Sequence, residues 1–194
     1  RTAETAARAR ALYTENRSAG PEDLTPYVRC ITRGLPGMMM PSIYNNGLQI
    51  MQGPGFVAIQ KEMIHETRVI PTEERTPLGD KLKTYLGDPQ GHWEGNTLVI
   101  ETKNFNGKTN YRGSGAELTL TERFTRTAEN RLEYQFTVND QTIWTQPWTG
   151  VFTFNLDNDQ YDLVEYACHE GNYGMFNILS GARALDKERA EGPR

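Results

Sequence analysis

The feature that most constrains this fold is a repeated alternation of apolar and polar residues with a period of two. It is clearest over residues 131–138, where Leu132, Tyr134, Phe136 and Val138 alternate with polar residues. Successive side chains of a β-strand point to opposite faces, so the pattern predicts a strand with one buried face. Strand-like segments of this kind also cover residues 48–52, 56–62, 67–71, 96–102, 118–124, 152–156 and 161–168.

About eight antiparallel strands with short connections are therefore predicted. Eight strands close into a lipocalin-like barrel, and a two-sheet sandwich is the other arrangement that buries the same faces. Helical spacing or composition also predicts short helices near the N-terminus (residues 2–17), in the middle (residues 78–86) and near the C-terminus (residues 175–185), the last capped by Asn172. The expected organisation is a helical segment at residues 1–20 and one β-barrel domain with a C-terminal helix at residues 21–194.

Composition excludes several functions. The chain has 194 residues and a formal net charge of −4, so it lacks the basic surface that nucleic-acid binding needs. No apolar run approaches the ~20 residues of a membrane-spanning helix. Phosphate-binding glycine loops, nucleophile elbows and zinc motifs are also missing from the sequence. We therefore expect no cofactor and a small-molecule or oligosaccharide substrate, and we leave the oligomeric state open.

Histidine is scarce, and two of the three histidines precede a glutamate. His169 lies beside Tyr173 where the last predicted strand meets the C-terminal helix, and His65 begins an earlier strand. Neutral imidazole beside a phenol and amides predicts a proton-abstracting site with His169 as the base and His65 opposite. The alternatives are that both histidines are structural, or that they bind a metal ion together with a third ligand.

A second polar segment is Tyr44-Asn45-Asn46-Gly47, which either contributes to this site or simply forms a turn. Arg33 is the residue that we expect to hold a carboxylate. The candidate catalytic residues are His169, His65, Tyr173 and Tyr44. The candidate substrate-binding residues are Arg33, Asn45, Asn46, Glu170 and Asn172.

Longer motifs carry a resemblance that covers about residues 21–183. They are RCITRGLP at 29–36, YNN at 44–46, GHWEGNTLVIET at 91–102, LTERFTR at 120–126, YACHEGNYGM at 166–175 and NILSGAR at 177–183. Together they resemble a family of uncharacterised exported bacterial proteins. The resemblance implies a removed export signal, a periplasmic or secreted location and a disulfide between Cys30 and Cys168, which would bring Arg33 near His169.

The leading hypothesis for function is an exported, cofactor-independent enzyme. Its acid/base chemistry, of the lyase type, would act on a polar ring compound such as a uronate-containing sugar or a lignin-like aryl compound. The alternative is a lipocalin-like periplasmic protein that binds a small molecule without turnover. A third hypothesis, a structural envelope domain, predicts a filled interior.

Overall fold

The computed structural model describes residues 3–4, 6–7, 18, 20–109, 111–156 and 162–191. The predicted N-terminal helix at residues 2–17 lies almost wholly outside these described residues. Three strands form the first antiparallel sheet: β1 Leu48–Gly53, β2 Phe56–Lys61 and β3 Glu66–Pro71. Five strands form the second antiparallel sheet: β4 Asp88–Glu94, β5 Thr97–Lys103, β6 Thr119–Ala128, β7 Arg131–Asn139 and β8 Trp148–Asn155. The helix α1 spans Tyr173–Glu191.

Strand order follows chain order in both sheets. Short turns join β1 to β2, β4 to β5 and β6 to β7, and each brings a strand back beside its predecessor. Glycines with positive φ occupy two of these turns, Gly55 at 75° between β1 and β2 and Gly95 at 61° between β4 and β5. The mainly β, antiparallel architecture predicted from the alternation is therefore confirmed.

The core lies between the sheets and is built from the residues that the alternation places on one face. Tyr134 on β7 is fully buried, with its ring centroid 4.7 Å from that of Phe124 on β6 and 5.1 Å from that of Phe152 on β8. Ile59 and Ile70 contribute from the first sheet and are equally buried. Burial of each such side chain is worth roughly 1.5–3 kcal/mol, so these strand faces fix the packing.

The described strands make two sheets, not one closed ladder, and the arrangement is consistent with a sandwich. The break falls between β3 and β4, where Pro71 ends one strand and Pro89 lies in the next. Proline has no N–H to donate to a ladder, so it suits a sheet edge. A side chain links β3 and β4 across this break, since Gln90 Nε2 donates a hydrogen bond to the carbonyl of Pro71 at 3.2 Å.

Two predicted elements are wrong. Residues 78–86 form no α-helix, because their polar groups are bound by side chains from neighbouring segments. Asn104 Nδ2 donates to the carbonyl of Leu82 at 2.9 Å, and Asp88 Oδ2 accepts from the amide of Leu78 at 2.7 Å. Residues 162–167 of the predicted last strand join neither sheet, since side-chain links hold that segment elsewhere.

The C-terminal helix is present, and its predicted cap is confirmed. The side-chain oxygen of Asn172 accepts from the amide of Met175 at 3.2 Å, which satisfies a donor at the first turn of α1. None of the helices in the described part of the chain is long and apolar enough to cross a membrane.

Candidate functional site

The disulfide organises one end of the molecule. Cys30 and Cys168 are bonded, with their Cα atoms 5.8 Å apart, as the resemblance predicted. Asn172 strengthens the same junction, since its Nδ2 donates to the carbonyl of Val28 at 2.8 Å. The segment that precedes α1 is therefore held against the loop at residues 27–33. A disulfide of this kind is consistent with an exported protein.

Three tyrosines from three parts of the chain meet at this end, and we call Tyr27, Tyr44 and Tyr166 the tyrosine cluster. The hydroxyls of Tyr44 and Tyr166 lie 3.4 Å apart, and their ring centroids are 6.3 Å apart. The hydrogen bond with Tyr44, followed by burial, raises the pKa of Tyr166 to about 12. Burial also raises the pKa of Tyr27, and the charge and hydrogen bond of Tyr44 raise it further. The phenols of Tyr27 and Tyr166 are therefore held in the protonated form, in which they can donate a hydrogen bond.

Two cations accompany the tyrosine cluster. The guanidinium carbon of Arg33 lies 5.4 Å from the centroid of the Tyr27 ring, which is a cation–π distance. Lys61, at the end of β2, is only 1% exposed, and its Nζ donates to the carbonyl of Asn46 at 2.7 Å. Burial lowers the pKa of Lys61 to about 8, with a smaller contribution in the same direction from Arg33. The two cations are therefore close enough to affect each other electrostatically.

The predicted asparagines hold the loop that surrounds Lys61. Asn45 Nδ2 donates to Glu62 Oε1 at 2.8 Å, and the amide of Gly47 donates to Glu62 Oε2 at 3.0 Å. Asn46 is tied to Ser42 by two hydrogen bonds of 2.7 and 2.8 Å. Both side-chain amides are thus engaged within the protein, and they position the backbone carbonyl that receives Lys61.

Backbone strain concentrates around the same residues. Among the described residues, six that are not glycine have positive φ, and four of these are Cys30, Asn45, Ile64 and His65. The φ of 64° at Ile64 is costly, because a β-branched side chain crowds the left-handed conformation. Strain of this kind persists only where the surrounding structure enforces it, and it is frequent at functional sites.

The two candidate histidines lie on exposed turns. His65 follows the strained Ile64, and its amide donates to the carbonyl of Glu62 at 2.9 Å. His169 adjoins the disulfide, and its carbonyl accepts from the amide of Asn172 at 3.4 Å. Within the described residues, no hydrogen bond or ion pair joins the two imidazoles, and no group of three or more His, Cys, Asp or Glu is arranged to hold a metal ion.

The remaining candidates differ in their surroundings. Glu170 is exposed, and Tyr173 is 74% exposed at the start of α1. Glu66, which follows His65, is partly buried, and Thr32 Oγ1 donates to its Oε2 at 2.6 Å. Burial raises the pKa of the Glu66 carboxyl. Of the candidates, the structure brings Arg33, Tyr44, Asn45 and Asn46 together.

Sequence reasoning missed Lys61, Glu62, Tyr27 and Tyr166 as site residues. One signal was available: Lys61 shares the strand face of Val57 and Ile59, so the alternation places an ammonium on the core side of β2. A lysine at such a position is rarely buried unless it has a partner. No comparable signal existed for Tyr27 or Tyr166, because neither lies in a regular element.

A separate groove of about 680 Å³ is lined by residues of β4 and β5 and by the segments at residues 72–83 and 116–119. Charges of both signs line it, including Lys83, Lys103, Glu101 and Glu117. None of its lining residues belongs to the tyrosine cluster. Its carboxylates and cations are interspersed, so it offers no focused charge to a ligand.

Among the described residues, buried side chains pack between the sheets. Arg68 on β3 forms a bidentate salt bridge with Glu122 on β6, with hydrogen bonds of 2.9 and 2.8 Å. The Tyr134 hydroxyl donates a further hydrogen bond to Glu122 at 2.8 Å. All three side chains are buried. A polar network of this kind stabilises a fixed interior and is unlike the aliphatic lining of an apolar ligand cavity.

No protein family, curated protein or solved structure matches this chain in comparison with known proteins.

Proposed function

We propose that this protein is an exported enzyme that performs cofactor-independent acid/base chemistry, of the lyase type, on a polar ring compound. Uronate-containing sugars and lignin-like aryl compounds are the substrate classes. The observation that carries the proposal is the tyrosine cluster, in which the hydroxyls of Tyr44 and Tyr166 lie 3.4 Å apart and the Arg33 guanidinium lies over the Tyr27 ring. Aromatic faces suit a ring, and the guanidinium suits an anion that develops during reaction.

Each group has a role in such a reaction. In a β-elimination, a base removes a proton from carbon, a carbon–oxygen bond breaks on the neighbouring carbon, and an acid protonates the departing oxygen. Tyr44 and Tyr166 are the proposed acids, because each phenol carries an O–H donor and the two hydroxyls lie 3.4 Å apart. His169 and His65 remain the proposed bases, on turns that adjoin the disulfide and β3. Arg33 stabilises the intermediate anion.

The test measures turnover on a panel of uronate oligosaccharides and aryl ethers. The absorbance of the double bond that forms in the product is the readout. We expect Tyr44→Phe and Tyr166→Phe to lower turnover on the order of 10²–10⁴-fold. Tyr111→Phe is the matched control, since Tyr111 packs beside Trp148. Melting temperature is measured for every variant. Unchanged turnover in the two cluster variants, or a loss that the control shares, would contradict the proposal.

Two finer assignments belong to the same proposal. A lipocalin-like barrel is the finer fold assignment, although the described strands pair as two separate antiparallel sheets and not as one closed ladder. A periplasmic or secreted location is supported by the disulfide. Ligand binding at the tyrosine cluster without product formation would favour the binding-protein alternative over the enzyme.

A further inference from the structure

We infer that Lys61 and Arg33 form a carboxylate-binding subsite beside the tyrosine cluster. This deepens the proposed function, on which it rests for the choice of ring compounds, because it selects carboxylate-bearing rings over uncharged ones. Arg33 was predicted from sequence to hold a carboxylate. Lys61 supplies the second cation and places the subsite at the end of β2.

The first argument is the balance of charge. Lys61 and Arg33 contribute two positive charges, and the carboxylate that acts on Lys61 is that of Glu62. Within the described residues, neither cation has a carboxylate within salt-bridge distance, since each ion pair joins other residues. Of the described charged groups that act on Lys61, Arg33 is a cation and Glu62 is the one carboxylate. A bound carboxylate would add a second negative charge opposite the two cations.

The second argument is the cost of burying an ammonium group. Lys61 is 1% exposed, and its contact is a single hydrogen bond to the carbonyl of Asn46. An ammonium removed from water requires charged or multiple hydrogen-bonding partners to recover its hydration energy. The depressed pKa near 8 reports this deficit, yet it leaves Lys61 mostly charged at neutral pH. A bound carboxylate would supply the missing partner.

The third argument is preorganisation. The Lys61 amine is fixed by the Asn46 carbonyl, and that loop is fixed in turn by hydrogen bonds from Asn45 and Gly47 to Glu62. Arg33 is held by the carbonyl of Met40 at 3.4 Å and by the Tyr27 ring. A site whose donors are already held loses less entropy when its ligand binds. Tyr44, two residues before the Asn46 carbonyl that receives Lys61, is 51% exposed.

The test is calorimetric titration of the full chain with two matched pairs of probes. D-galacturonate is compared with D-galactose, and vanillate with vanillyl alcohol, so that the arms separate a sugar carboxylate from an aryl carboxylate. Inorganic sulfate tests for a general anion site. We expect at least one carboxylate to bind about tenfold or more tightly than its uncharged partner, with sulfate weaker.

Substitutions test whether the carboxylate binds at Arg33 and Lys61. Arg33→Gln and Lys61→Met each remove one cation, and we expect each to weaken carboxylate binding by about tenfold or more. Lys103→Met is the control, because Lys103 is an exposed lysine on β5. If Lys61→Met does not fold, Arg33→Gln decides the question alone.

Three results would overturn the subsite: no binding of either carboxylate, equal binding of carboxylate and uncharged partner, or an equal loss in the Lys103 control. Tighter binding of sulfate would also overturn it. Carboxylate binding without turnover would refute the enzyme and leave the subsite standing, so the two failures are distinguishable.

Discussion

Removal of the disulfide should cost this protein a large part of its stability. Cys30 and Cys168 are 138 positions apart, so the bond closes most of the chain into one loop. In the chain-entropy relation, a loop of this length corresponds to about 5 kcal/mol at 25 °C. Measured losses for native disulfides run from about 2 to 5 kcal/mol, so we expect Cys30→Ala/Cys168→Ala to lower the free energy of unfolding by about 3–5 kcal/mol.

Urea unfolding followed by tryptophan fluorescence measures this loss. Trp144 and Trp148 lie against the core at the second sheet, so their emission reports its disruption. The wild type is compared with and without a reducing agent, and the double variant is the control that reducing agent should not affect. A loss below about 1 kcal/mol would refute the entropic reasoning. Two reactive thiols in denatured, unreduced protein would refute the bond itself.

The same variant tests the site. The disulfide anchors the segment that carries Tyr166, whose hydroxyl reaches Tyr44. We therefore expect the double variant to lose turnover even under conditions in which its sheets stay folded. Full activity in a folded variant would show that Tyr166 is not held by the disulfide.

Three further predictions concern single groups. Glu122→Gln leaves the buried Arg68 without its charge partner, and urea unfolding should show a loss of about 3–5 kcal/mol. Asn172→Ala removes the cap of α1 and the bond to the loop, and the loss should be about 1 kcal/mol or more by the same measurement. Carboxylate binding should weaken as pH rises through about 8, because Lys61 is charged below its pKa and neutral above it. Calorimetry across that range checks this, and the dependence should vanish in Lys61→Met.

The strands that could be predicted are those whose alternation directly reflects one-sided burial. The alternating residues 131–138 correspond to β7, with Tyr134, Phe136 and Val138 buried as the pattern requires. β4 was missed because its sequence, DPQGHWE, does not alternate. Gly91 replaces an apolar residue there, since a Cβ at Gly91 would lie 2.8 Å from the side chain of Ile70. The close approach of the two sheets thus requires glycine where an apolar residue would have completed the alternation that predicts a strand.

The predicted middle helix shows the opposite error. Residues 78–86 have apolar residues at helical spacing, but Leu82 is 58% exposed and no face of the segment packs as a unit. Tertiary hydrogen bonds from Asp88 and Asn104 bind its backbone more effectively than a short isolated helix would. Periodicity alone does not reveal such competition.

The candidate site was predictable only in part, because its residues are joined by tertiary contacts. Tyr44 and Arg33 were identified from residue chemistry, whereas Tyr166 enters only through the segment that the disulfide anchors. We place Lys61 in the candidate site because the β2 alternation turns it inward, where burial lowers the pKa of its ammonium group. The loop at residues 27–33, the end of β2 and the segment before α1 thus depend on one another. Because Arg33 and Tyr44 lie outside the hydrophobic core, Arg33→Gln and Tyr44→Phe should affect ligand binding more than they affect the packing of the sheets.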